Sequence, residues 1–225
     1  MSCERVDVEK ELRTLLAKFD ALGNITRATW YEFRQAALEF ARPGTTPMDI
    51  VLRAWEIVGH DTAKAYVTSL DLSKPTFLED IGRLIVQSST MMGESARLRR
   101  GGGPNEVFVE WDRCPWPEFA RRYGATMEED VLGCDRWFQT VIKDINDIFG
   151  TDVKLETLSA IPRGDRTCTR RLTMSARPGR SGSGGGGGGG AGGKNSGAEG
   201  ASEADERSRG VRGDEVGGGA KRGGK

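Results

Sequence analysis

The chain has 225 residues with 33 basic and 33 acidic side chains, so it has no formal net charge and no global basic field to attract nucleic acid. From Ser175 to Lys225, 20 of the 51 residues are Gly and none is Leu, Ile, Phe, Tyr or Trp, so that stretch cannot build a core. No run approaches the ~20 apolar residues of a membrane span, and the charged N-terminus lacks the apolar run of a secretory signal. The expectation is therefore a soluble, cytoplasmic protein with one domain over residues 1–174 and a disordered Gly-rich tail over 175–225.

Val8, Leu12, Leu15, Leu16, Phe19 and Leu22 recur near a 3.6-residue period and predict an amphipathic helix that ends near Gly23. Asn24 or Thr26 can cap a second helix, carrying Trp30, Phe33, Leu38 and Phe40, which Arg42-Pro43-Gly44 stops. Pro47 stands near the start of a third, with Ile50, Val51, Ala54, Trp55 and Val58, and Asp61–Leu70 continues helical. Gly59-His60-Asp61 reads as a surface turn between helices. Ser73-Lys74-Pro75 then precedes the helical run Phe77, Ile81, Leu84 and Ile85.

After Met92 the period changes to two. Residues 95–99 and 106–111 predict a hairpin across the glycines at 101–103. Pro115 and Pro117 open a short helix that ends at Gly124. Thr126 and Glu129 stand at capping-box spacing before a long helix to Phe149, with Val131, Cys134, Phe138, Val141, Ile142 and Ile145 on one face. Residues 153–158 and 167–172 predict two further strands around the turn Ile161-Pro162-Arg163-Gly164-Asp165. The fold class is α+β: a helical N-terminal half, then a small antiparallel sheet packed with the long helix.

Four cysteines without a CxxC pair read as reduced thiols. Cys114 has the best local case for a lowered pKa, because it precedes the helix opened by Pro115 and lies beside Arg113. The plain alternative is that a free Cys is a small buried hydrophobe. Cys134 is followed by Asp135, which a helix turns roughly 100° aside, making it a general base or a solvated charge. Arg163 and Asp165 lie in the inter-strand turn, where Arg163 could fork onto a substrate carboxylate and Asp165 could simply brace the turn. With one histidine, His60, and no close-spaced ligand pair, neither a zinc site nor a Ser-His-Asp arrangement is expected. No cofactor fingerprint is present.

Cys114-Pro115-Trp116, Gly133-Cys134-Asp135 and Pro162-Arg163-Gly164-Asp165 with Cys168 three residues on resemble the L-2-amino-thiazoline-4-carboxylic acid hydrolase-like family. The resemblance covers residues 77–174 well and the first helices loosely. It implies a cofactor-independent hydrolase that opens the C–N bond of a cyclic amidine to give an N-carbamoyl product, or a relative tailoring an intermediate of secondary metabolism. On that resemblance Cys114 is the nucleophile, Cys134 and Asp135 line the pocket, Asp165 is acid or base, Arg163 holds the substrate carboxylate, and Trp116 and Cys168 contact substrate. Two other classes stand beside it: a non-catalytic binder of a hydrophobic small molecule, and an interaction protein recruited through its tail. The oligomeric state is not readable from the residues.

Overall fold

The computed structural model describes residues 8–175; the Gly-rich segment expected to be disordered lies, from residue 176 onward, outside the described residues. In chain order the elements are α1 (Val8–Glu39), α2 (Pro47–Val67), α3 (Phe77–Met91), β1 (Ser95–Arg100), β2 (Glu106–Arg113), α4 (Trp116–Arg122), α5 (Met127–Phe149), β3 (Lys154–Ser159), a 3-10 turn (Ile161–Arg163) and β4 (Cys168–Thr173). The α+β expectation holds. The four strands form one antiparallel sheet in the order β1-β2-β4-β3, and none of the described helices is long and apolar enough to cross a membrane.

Two of the helix starts come from matching local chemistry. Thr46 and Asp49 cap α2 reciprocally, and Thr126 and Glu129 do the same for α5, so the first backbone N–H groups of each helix find partners. One inward row of the sheet alternates with the pleat: Val107, Val109 and Trp111 on β2 and Cys168, Arg170 and Leu172 on β4. These pack with Phe77, Ile81 and Ile85 of α3 and Phe138, Val141 and Ile145 of α5 in one core.

Two sequence expectations need correction. Gly23 does not end a helix, because α1 runs unbroken from Val8 to Glu39. Glycine costs a helix interior only about 1 kcal/mol, and here its bare Cα leaves room for the Arg27 guanidinium, which would stand 3.3 Å from an added Cβ. Arg27 then donates to the Met92 carbonyl at 2.6 Å and to Asn24 at 2.9 Å. Gly59-His60-Asp61 is likewise no turn. It lies inside α2, where Gly59 lets the backbone of α5 approach: a Cβ there would come within 2.7 Å of Thr140 Cβ. His60 reaches across the same contact, its Nδ1 2.6 Å from Asp144 Oδ2.

Candidate ligand-binding site

Where α2, α4 and α5 meet the inward face of β2 and β4, a small chamber opens. It is lined by Trp55, Trp111, Trp116, Trp137 and Phe138, by the carboxyl groups of Glu94 and Asp130, by Arg170, and by Cys114, Cys134 and Cys168. Trp55, Glu94, Trp116 and Trp137 also wall a larger outer groove of about 500 Å³, completed by Thr26, Trp30 and Phe33 of α1 and by Met91 and Met92. The chamber itself has only about 40 Å³, space for one or two atoms. Groove and chamber are thus a wide apolar mouth and a narrow polar end with four walls in common.

The indoles are held in place by the fold. Gly133 on α5 is opposite Trp55, and a Cβ there would stand 2.6 Å from the ring, so this glycine is what lets Trp55 lie against the helix. Trp55 then meets Trp30 at 4.7 Å, Trp116 at 5.5 Å and Trp137 at 6.0 Å between ring centroids. The Trp116 indole N–H donates to Glu94 Oε1 at 2.9 Å, and that of Trp137 to Thr62 at 3.0 Å. The polar tips of Trp116 and Trp137 are thereby satisfied while both residues line the cavity.

Arg170 is the charged centre of the chamber. Its inward position on β4 puts the guanidinium over the rings of Phe138 and Trp111, 4.4 and 5.3 Å from their centroids. It donates to Asp135 Oδ1 at 2.9 Å and to Cys134 Sγ at 3.2 Å, while its Nε is buried without a hydrogen-bond partner. Since Asp135 neutralises Arg170, Glu94 and Asp130 are left as surplus carboxyl groups. Burial, reinforced by Glu94, raises Asp130 to about 7 against the opposing pull of Arg170 and Arg121. Glu94 is raised as well, chiefly by burial.

These shifts set a pH dependence. A folded-state pKa above the unfolded value means that the native protein holds the extra proton, so stability falls as pH rises from the ordinary carboxylate range to about 7. Asp130→Asn is expected to flatten this slope and to be the more stable form at pH 8, read as melting temperature against pH for both proteins. A slope unchanged in the variant would remove Asp130 as its source.

The sequence-derived site residues divide into two groups. Cys114, Trp116, Cys134 and Cys168 all line the chamber. Asp135, Arg163 and Asp165 do not. Asp135 is committed to Arg170 and to the Thr157 hydroxyl. Arg163 is half exposed and 3.8 Å from Asp135 on its outer side. Asp165 accepts the Ala160 N–H at 2.8 Å and braces the turn, the plain reading of its position.

The lowered pKa expected for Cys114 is also reversed. The Trp116 backbone N–H at the start of α4 does favour its thiolate, but burial and the neighbouring Glu94 outweigh it and push the thiol up. Cys134 and Cys168 are raised by burial too, the latter accepting the Ile161 N–H. Glu94, Asp130 and Arg170 were missed from the sequence. A signal existed for two of them: Arg170 falls on the inward alternation of its strand, and Asp130 stands four residues before Cys134 on the same helical face.

No family model and no curated protein matches the chain. Among solved structures it is similar to a trafficking protein particle complex subunit 3 from Naegleria fowleri covalently bound to palmitic acid, with 12% identity, 68% of this chain and 97% of that chain covered, and a TM-score of 0.45. It is also similar to the phenol-responsive sensory domain of the transcription activator PoxR with phenol, with 10% identity, 66% and 74% covered, and a TM-score of 0.39.

Proposed function

We propose that this protein binds a small, largely apolar molecule whose body lies in the outer groove and whose single polar end enters the chamber. The observation that carries this reading is the wall shared by the two spaces: Trp55, Trp116, Trp137 and Glu94 line both. The polar end is set to hydrogen-bond with the Glu94 and Asp130 carboxyl groups that line the chamber. Raised thiols suit this role, as neutral, polarisable walls.

The test is a titration of tryptophan fluorescence with naphthalene, 1-naphthol and 1-naphthylamine, alongside native mass spectrometry of the purified protein. Saturable one-to-one quenching is expected, stronger for the two polar probes than for naphthalene. Phe33→Ser, at an exposed position on the groove wall, is expected to weaken binding about tenfold with the melting temperature unchanged. Linear, unsaturable quenching by all three probes, with no copurifying mass, would reject a binding role.

One observation favours hydrolysis as a second reading. Asp130, at about 7, is suited to give and take a proton at neutral pH, and it lines the same chamber as Cys114 and Cys134. Incubation with 2-amino-thiazoline-4-carboxylate tests it. A water-mass gain absent from Asp130→Asn supports a hydrolase, and no turnover by the folded protein on this compound removes the substrate the motifs suggest.

A further inference from the structure

The two halves of helix α1 are buried differently: its C-terminal half packs on the body, and residues 8–22 are exposed on every side. The residues it buries in the body are Arg27, Tyr31 and Arg34, whereas Val8, Leu12, Leu15, Phe19 and Leu22 are 42 to 72% exposed. The exposed residues succeed one another at intervals of four, three, four and three. This is the 3.5-residue repeat of a helix that winds against another helix, not the broader stripe of one lying on a domain.

We infer that this stripe is the docking surface for α1 of a second copy of the chain, the two helices pairing antiparallel. Three observations select that occupant. The five-residue stripe offers on the order of 500 Å² per copy, about 1,000 Å² for the pair, the lower bound of a biological interface. The Gly-rich segment of the same chain cannot cover it, having no Leu, Ile, Phe, Tyr or Trp from Ser175 onward. The flanking charges complete the match. Glu11 and Lys18 stand on one flank of the stripe, each one residue before a member of it (Leu12 and Phe19), and form no ion pair among the described residues, whereas Glu9 and Arg13 pair with each other.

Setting Leu12 of one copy against Leu15 of the other brings each Glu11 opposite the other copy's Lys18, twice over by symmetry. A parallel arrangement leaves both charges unmatched. A membrane surface is the weaker fit, since Glu9, Glu11 and Asp20 balance Lys10, Arg13 and Lys18 along this stretch and give no basic face for anionic lipid.

The experiment is sedimentation velocity on the full chain across the micromolar range. A dimer is expected, and Leu15→Glu combined with Phe19→Glu should weaken association about 100-fold or more, with helical circular dichroism retained because both positions are exposed. Glu11→Lys alone should raise the dissociation constant several-fold, and adding Lys18→Glu should restore it. A chain that stays monomeric at hundreds of micromolar overturns the inference, as does a dimer indifferent to the paired Glu substitutions. Association of a monomer with anionic phospholipid vesicles, lost in the same variant, overturns it in favour of lipid. A dimer broken by those substitutions but indifferent to the charge exchange overturns the antiparallel pairing.

Discussion

Asp135→Ala is expected to destabilise the protein by about 3–5 kcal/mol, the cost of leaving a buried charge without its partner. The Arg170 side chain is 4% exposed and that of Asp135 13%, and they meet at 2.9 Å. Removing the carboxylate leaves the guanidinium bonded to Cys134 and set over two aromatic faces, with the burial-raised carboxyl groups of Asp130 and Glu94 as the remaining acids of the chamber. For a domain of this size the loss corresponds to a fall in melting temperature of about 10 °C, measurable by calorimetry. Asp135→Asn keeps an acceptor and should lose less. A double variant, Asp135→Leu with Arg170→Met, should recover much of the loss, because a buried pair replaced by apolar groups of similar volume no longer bears a desolvation cost. A shift below 1 kcal/mol in the single variant would mean that Arg170 does not depend on Asp135.

Glu129→Ala is expected to have a comparable effect through a different part of the fold. Its carboxylate takes a two-pronged bond from Arg34, at 2.6 and 3.0 Å, in a setting where both side chains are almost fully buried, and it also accepts the Thr126 N–H as half of the α5 capping box. The substitution removes a buried counter-ion and a helix cap, so about 4 kcal/mol is expected. The damage should be directional. Arg34 is one of three residues through which α1 is buried, so amide exchange should accelerate in residues 27–35 before it does in the sheet. Uniform acceleration across all elements would show that the pair stabilises the fold generally without specifically anchoring α1.

Much of the fold was legible because its borders are marked by local chemistry. Capping pairs at Thr46 and Thr126, prolines at 47 and 115, and the change from helical to alternating period after Met92 each act within a few residues. The errors arose where a distant group decided. Gly23 has the residue type of a helix stop, yet it serves the Arg27 side chain one turn on, which in turn bonds to Met92, 65 residues away. Gly59-His60-Asp61 has turn composition, yet α5 approaches there and needs the missing Cβ. The site divides in the same way. Three cysteines and Trp116 could be picked out by residue type, but that Asp135 serves Arg170, 35 positions later, depends on the register of β4 against the rest of the sheet. That register also places Cys168 directly opposite Trp111.

All five tryptophans of the chain, at 30, 55, 111, 116 and 137, line the groove or the chamber. Indoles 4.7 to 6.0 Å apart exchange excitation, so their transitions are shared among the rings. The tryptophan bands of the near-ultraviolet spectrum consequently report on one place in the protein. A rotation of Trp55 alone would change the exciton signal while the helical bands stayed constant, giving the groove an optical readout that needs no attached dye and has no tryptophan background from the rest of the chain.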